Sequence, residues 1–382
     1  MRPRVHRPTF KTVPRSEIAD IGAATRDVLA RCYGLGFALA GVTPAQPTKW
    51  REHILEWLRA GRHGQMDYLE RDLELKFDPA GVLPDTRAFI VVADLYATRN
   101  DAPVETPPGH GRIARYAHGR DYHVTIKNRL HDLSDALRGA YPGWGFRSFV
   151  DTVPVLEREL AQLAGLGWQA KNTMIINPRL GSYFLIGGVA TTMPLVPPAE
   201  QPVVMDHCGT CTRCIEACPT QAITPYSVDG SRCISYLTIE HRTPIDPALH
   251  GAMGDWVYGC DICQEVCPHN SARPGQDVGA RLPEYEARRV SLPLLEVLGW
   301  DDGARREALR VSAMKRATLA MMKRNAVIAA GNLLRVREDG ALRARLVELR
   351  DDLSESELVR GAAGEVLRDW EVGRVDGGEP PR

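Results

Sequence analysis

The sequence has no apolar run near the roughly 18–20 residues that a membrane-spanning helix requires. Its longest, Phe89 to Leu95, has the length of one buried strand. It also has no excess charge: 48 Lys and Arg balance 48 Asp and Glu, and the charged fraction of 25% is ordinary for a soluble globular protein. The first fifteen residues carry Arg2, Arg4, Arg7, Lys11 and Arg15 without an acid. No apolar segment follows them, so a secretory signal is not expected and residues 1–15 read as a disordered basic tail. The expectation is a cytoplasmic protein without membrane association. No Gly-Lys dipeptide occurs, which excludes a Walker A phosphate loop. Gly165-Leu-Gly167-Trp-Gln-Ala170 has the letters of a dinucleotide-binding turn, but a helical pattern precedes it where that turn needs a strand.

What the sequence does have is cysteine in one place. Of its nine, at 32, 208, 211, 214, 218, 233, 260, 263 and 267, eight fall in one 60-residue window. Without a secretory signal a disulfide framework is disfavoured and metal is the better reading. Cys208-x2-Cys211-x2-Cys214-x3-Cys218-Pro219 matches the bacterial ferredoxin run, in which the fourth cysteine ligates the neighbouring cluster. Cys233 and Cys260-x2-Cys263-x3-Cys267-Pro268 make the second set, its first ligand displaced upstream. The expected ligands are therefore Cys208, Cys211, Cys214 and Cys267 for one [4Fe–4S] cluster, and Cys218, Cys233, Cys260 and Cys263 for the other. Structural zinc is the alternative for Cys-x2-Cys pairs; two Cys-x3-Cys-Pro endings and eight ligands favour iron–sulfur. Cys32, on a helical pattern, reads as an inert core thiol.

At 382 residues the chain has room for two or three domains. Residues 16–198 alternate helical and strand patterns in an α+β arrangement. Helices are expected from Ser16 to about Tyr33, over Lys49–Ala60 with Gly61 as its stop, over His123–Leu137 and from near Pro154. Strands are expected over Ala88–Leu95, Phe146–Val150 and Tyr183–Ala190. The cysteine module spans 199–275. From 285 to 375 a helical tract resembles stacked helix pairs of the HEAT kind, without a clean repeat. Twelve bases against four acids between Ala304 and Arg350 make that tract either a solvated face or a phosphate-binding surface. Asp121-Tyr-His123 opens a D-x-H-x-x-G cobalamin motif, but residue 126 is Ile, so no protein histidine ligand to cobalt is expected.

Several segments in order carry a resemblance. They are Met66-Asp-Tyr-Leu-Glu-Arg71, Ile113-Ala-Arg-Tyr-Ala-His-Gly-Arg-Asp-Tyr-His123, Asp151-Thr-Val-Pro-Val-Leu-Glu-Arg158 and Gly167-Trp-Gln-Ala-Lys-Asn-Thr173. Gly181-Ser-Tyr-Phe-Leu-Ile-Gly187, Gly259 through Asn270 and Lys323-Arg-Asn-Ala326 complete the set. Together they resemble the epoxyqueuosine reductases, cobalamin-dependent enzymes of tRNA queuosine synthesis. Two departures stand beside the expected cofactor wall: Gln169-Ala170 before Lys171-Asn172, and His118 where Trp is common.

The resemblance implies a nitroreductase-like domain holding base-off cobalamin, a ferredoxin-like module and a C-terminal HEAT-like domain that grips tRNA. It implies Asp151 as proton donor, with burial beside the corrin raising its pKa. Without the resemblance, Asp151 reads as the N-cap of the Pro154 helix. Arg71, Ala114, Tyr116, His118, Trp168, Lys171, Asn172, Thr173 and Met174 become candidates for the corrin wall, and Lys315, Arg316, Lys323, Arg324 and Asn325 for tRNA. The expected partners are tRNA with a queuosine-type anticodon and a reduced ferredoxin- or flavodoxin-type donor, acting on a monomer. Two other readings stay open: a corrinoid and iron–sulfur reductase of a small organic molecule, like the reductive dehalogenases, and an electron-transfer protein without its own substrate.

Overall fold

A computed structural model describes residues 14–151 and 153–375. The basic tail therefore lies outside the described residues up to residue 13. Arg15 is not loose: it pairs with Asp85 and its guanidinium sits 5.1 Å from the Trp144 ring.

The first half is built on a four-stranded antiparallel sheet in the order Leu39–Pro44, Ala88–Leu95, Phe184–Thr191, Phe146–Phe149. Ala88–Leu95 is buried at every position, which explains why its sequence runs apolar without alternating. Alternate side chains still go to opposite faces, as a pleated strand requires. Ala88, Ile90 and Val92 face the helices Ile21–Gly34 and Tyr122–Ala140, while Phe89, Val91, Ala93 and Leu95 face the helix Glu157–Leu163. Asp94, the polar exception, is buried but satisfied: Arg129 bonds it and Tyr285 Oη donates to it at 2.7 Å. Cys32 lies in the core as expected, burial pushing its thiol up to about 12.

Two element starts differ from the expectation. The first helix begins at Ile21, where Asp20 Oδ1 accepts from Ala23 N–H; Ser16 instead bonds Pro142. The helix expected near Pro154 begins at Glu157, and no side chain caps it. Gly165 lies in the turn that leads from this helix into Trp168–Gln169, helix to strand, the reverse of a dinucleotide fingerprint.

The three parts of the chain are sewn together. Trp256–Tyr258 of the cysteine module pairs in parallel with His110–Ile113, which also pairs antiparallel with Ser291–Pro293. Asn270 Oδ1 accepts from Ser182 N–H at 2.8 Å, and Gln264 Nε2 donates to Ser182 O at 3.0 Å. Gly181, at φ +81, makes room for that contact, because a Cβ there would stand 2.2 Å from Asn270 Oδ1.

In the C-terminal part the helix Leu319–Val336 packs on Gly340–Asp351 and Glu357–Val375. Its stretch Met321–Gly331 is buried all round, because its other face rests on the cysteine module. This corrects one expectation. Lys323, Arg324 and Asn325 are interior groups, not a tRNA surface. Lys323 pairs with Glu355, and Asn325 Nδ2 donates to Thr238 O and Val257 O at 2.9 Å. Arg324, 0% exposed, donates to Leu237 O, His241 O and Thr243 O at 2.7, 2.7 and 2.9 Å.

Candidate active site

Asp151 follows the strand Phe146–Phe149 in a left-handed conformation, φ +52, unusual for a non-glycine residue. Its backbone N–H donates to Glu157 Oε1 at 2.8 Å, and its carboxylate accepts from the Tyr122 hydroxyl and faces His123 Nε2 at 3.2 Å. Tyr122 and His123 open the helix Tyr122–Ala140, whose N-cap, Asp121, accepts from His123 N–H. Asp151 is thus not a cap; a different helix delivers its partners. Close packing sets that delivery: a Cβ on Gly187 would stand 2.9 Å from Ile126, one turn along the same helix.

The side chain of Asp151 is 44% exposed, yet burial is the largest influence on its titration. The carboxylate is thus reached by solvent while protein groups surround it closely. Burial favours the neutral acid, but hydrogen bonds from His123 and Tyr122 and the His123 charge outweigh it and hold Asp151 below its ordinary value. Without a corrin beside it, Asp151 is thus lowered rather than raised. The protons sit on its neighbours. Burial, then the Asp151 charge, push Glu157 well above the ordinary range. Burial opposes charge on His123, but Asp121 and Asp151 overcome it and raise it to about 9. His123 Nδ1 lies 2.9 Å from Asp121 Oδ1, and Lys315 Nζ lies 2.6 Å from Asp121 Oδ2. Burial would raise Asp121, but His123 and Lys315 hold it down near 2. The chain Lys315–Asp121–His123–Asp151–Glu157 is a carboxylate with a protonated donor on either side. It can take a proton from a neighbour and pass it on into the cleft.

Tyr122, His123 and Glu157 went unrecognised in the sequence as functional groups. Their signal was present, inside the segments beginning Ile113 and Asp151.

The corrin candidates separate. Tyr116 is half-buried, its ring 6.0 Å from that of Tyr122 and 6.2 Å from that of Tyr258. Ala114 is buried against Gly259. Arg71 is exposed and makes no hydrogen bond or ion pair through its side chain among the described residues; nearby Tyr68 feels the charge of Asp151. His118 turns away: it is buried, its Nε2 is 3.0 Å from Ile113 O, and it borders a separate cavity of about 340 Å³ with Arg115 and Tyr285. Burial lowers its pKa to about 4. The Trp168–Ile176 hairpin serves the cysteine module instead. Lys171 Nζ donates to Gly209 O and Cys211 O at 2.6 and 3.0 Å, and Asn172 Nδ2 to Cys263 O at 3.3 Å. Trp168 packs against Cys208 and Cys267. Asn172 Oδ1 accepts from Met174 N–H, and Thr173, at φ +64, receives two bonds from Arg158 at 2.9 Å, tying the hairpin tip back to the cleft.

The cysteines feel one another's charge both within and across the two expected sets. Cys214 feels Cys267, Cys208 and Cys211, whereas Cys263 feels Cys233 most among the cysteines and then Cys214 and Cys218. Cys233 and Cys260 share an apolar shell with Ala114, Tyr116 and Met66, so this second group adjoins the wall of the Asp151 cleft. Lys315 and Arg316 stay at the surface, 54% and 50% exposed, Lys315 on Asp121 and Arg316 on Glu240 with Tyr68 beneath it. Two of the five tRNA candidates thus stand at the cleft rim.

Known proteins share this organisation. Residues 207–270 match the 4Fe-4S double cluster binding domain, and residues 76–152 match the family described as Epoxyqueuosine reductase QueG, DUF1730. The epoxyqueuosine reductase of Alicycliphilus denitrificans is 38% identical over 336 residues, 84% of this chain and 91% of that protein. The Escherichia coli enzyme is 36% identical over 323 residues, 83% of each chain. A crystal structure of epoxyqueuosine reductase with an epoxyqueuosine-modified tRNA-Tyr stem loop superposes with TM-score 0.80 and 26% identity, covering 94% of this chain and 96% of that one. A Bacillus subtilis epoxyqueuosine reductase, solved with its catalytic aspartate loop swung out of the active site, superposes equally well, with TM-score 0.80. With such identity sustained over most of both chains, this chain belongs to the epoxyqueuosine reductase family.

Proposed function

We propose that this protein reduces epoxyqueuosine at the wobble position of tRNA to queuosine, the last step of queuosine biosynthesis. The reaction takes two electrons and two protons and releases the epoxide oxygen as water. In this reading Cys208, Cys211, Cys214 and Cys267 hold one [4Fe–4S] cluster and Cys218, Cys233, Cys260 and Cys263 the other. A base-off cobalamin lies in the Asp151 cleft. The three parts are then a nitroreductase-like catalytic domain over 16–198, a ferredoxin-like module over 199–275 and a HEAT-like domain over 285–375. A reduced ferredoxin- or flavodoxin-type protein supplies the electrons to a cytoplasmic monomer.

The residues of the cleft fit a corrin. Tyr116 and Tyr122 give an aromatic wall for a flat macrocycle, and Arg71 offers uncommitted donors for its amide rim. Both ring nitrogens of His123 are engaged by carboxylates, which leaves that histidine unsuited to ligate cobalt. When bound, cobalamin supplies a strongly reducing, nucleophilic cobalt centre. The protein supplies the protons: Asp151, ionised at rest, takes one from His123 or Glu157 and relays it to the opening epoxide oxygen. An alkoxide that is protonated as it forms never has to be released free, and this is how a positioned acid lowers the barrier.

The observation that carries the proposal is the half-exposed Asp151 carboxylate between two proton carriers, in a cleft whose far wall is shared with Cys233 and Cys260. The test is anaerobic incubation of reconstituted protein with epoxyqueuosine-containing tRNA and a low-potential reductant, followed by mass analysis of the nucleosides. Queuosine is the expected product. Unchanged epoxyqueuosine with intact clusters and corrin would refute the assignment.

A further inference from the structure

We infer that Trp168 tunes the reduction potential of the cluster bound by Cys208 and Cys267, its indole N–H serving as a hydrogen-bond donor to the thiolates packed against it. The inference deepens the two-cluster reading and rests on it.

Trp168 is 1% exposed, and its Nε1 is buried without a formed hydrogen bond. A buried N–H without an acceptor costs about 1–3 kcal/mol, and each such group in a native fold calls for an explanation, an absent ion among them. Flanking rings limit how the indole can turn: His207 and His269 meet it edge-on, with centroids 5.1 and 4.8 Å away. Cys208 and Cys267 pack in the same small cluster of side chains. Two ligand sulfurs of one cluster therefore pack beside the orphan donor.

The orphan donor thus has an acceptor only when the sulfur carries charge. A neutral thiol accepts weakly, whereas an iron-bound thiolate gives a charge-assisted bond. The segment Trp168–Lys171 closes on this one ligand loop at both its ends, since Lys171 Nζ also binds the carbonyls of Gly209 and Cys211. In the second group Cys218 Sγ meets the Thr220 hydroxyl at 3.6 Å and accepts from Ala222 N–H at 3.3 Å, so that cluster has donors of its own but no indole. A donor to a cluster sulfur favours the more negative, reduced state and so raises the potential. The catalytic part of the chain thereby contributes a donor that raises the potential of one cluster.

Trp168→Phe keeps the ring and removes the N–H. Anaerobic wild-type and variant holoproteins are compared by redox titration followed by EPR. One iron–sulfur couple should become harder to reduce by about tenfold, which is about 59 mV for one electron, while the other stays in place. Two unshifted couples would overturn the inference. A purely structural role would change stability or cluster content and leave both potentials alone. Wild-type protein with no iron–sulfur couple would instead overturn the two-cluster reading. Should the variant fail to assemble, wild-type protein grown on tryptophan labelled with 15N at the indole decides by pulsed EPR. A 15N coupling on one reduced cluster supports the bond, and its absence on both refutes it.

Discussion

Replacing Asp151 by Asn separates a proton donor from a structural residue. Asn has nearly the same volume, tolerates the left-handed backbone at φ +52 and retains an oxygen to accept from Tyr122 and His123. No helix depends on residue 151, since Glu157–Leu163 starts without a side-chain cap, so the variant should fold, bind both clusters and bind tRNA. It cannot carry an acid proton. The expected loss is about 10²–10⁴-fold in turnover, the usual range for one general acid. At 1.36 kcal/mol per decade this is about 3–5 kcal/mol of barrier. The wild-type pH profile carries a second signature. His123 is raised from 6.5 to about 9, so it keeps its proton through neutrality. Turnover should be level there and fall as pH passes about 9. The same sign governs stability: the His123 pairs contribute fully below about 6.5, and their contribution is lost as pH rises through about 9. The assay is nucleoside analysis of tRNA after single and multiple turnovers, run beside a melting curve. An Asn variant within a few-fold of wild type would refute the role of Asp151.

Other outcomes follow from the same geometry. Arg324→Met should destabilise the fold by about 3 kcal/mol or more, three carbonyls losing their donor at about 1 kcal/mol or more each; a melting temperature within error of wild type would contradict its interior role. Cys218→Ala should cost the protein the cluster shared with Cys233, Cys260 and Cys263, and loss of the other cluster in iron analysis and EPR would break that ligand pairing. Arg316→Gln should weaken tRNA binding and make its salt dependence shallower by about one phosphate contact, without altering iron content. An unchanged slope would remove Arg316 from the interface.

The parts legible in the sequence were those whose chemistry is local. Thiolate spacing announces a cluster loop wherever it occurs, and the buried strand Ala88–Leu95 shows in an apolar run broken only by Asp94. Asp151 was found at the end of its strand. Its protonation state was not, because that depends on His123 and Glu157, which arrive from two different helices. The error over Lys323, Arg324 and Asn325 has the same origin. A sequence displays charge but not the carbonyls of Leu237, His241 and Thr243 that wait for it in another part of the chain. The strands Trp256–Tyr258 and Ser291–Pro293, which sew the parts together, are three residues each, too short for a period of two to register. Lys171 and Asn172 stand in a motif that the resemblance placed beside the cofactor wall, yet their bonds go to the cysteine loops.

The central claim is that the Asp151 cleft holds a corrin fed by the two clusters, and the spectrum of the anaerobically reconstituted, partly reduced protein tests it most directly. The account predicts a cobalt(II) corrin EPR signal without nitrogen superhyperfine coupling from a protein ligand, together with the signals of two [4Fe–4S] clusters. A nitrogen-coupled cobalt signal, or clusters with no bound corrin at all, would contradict it.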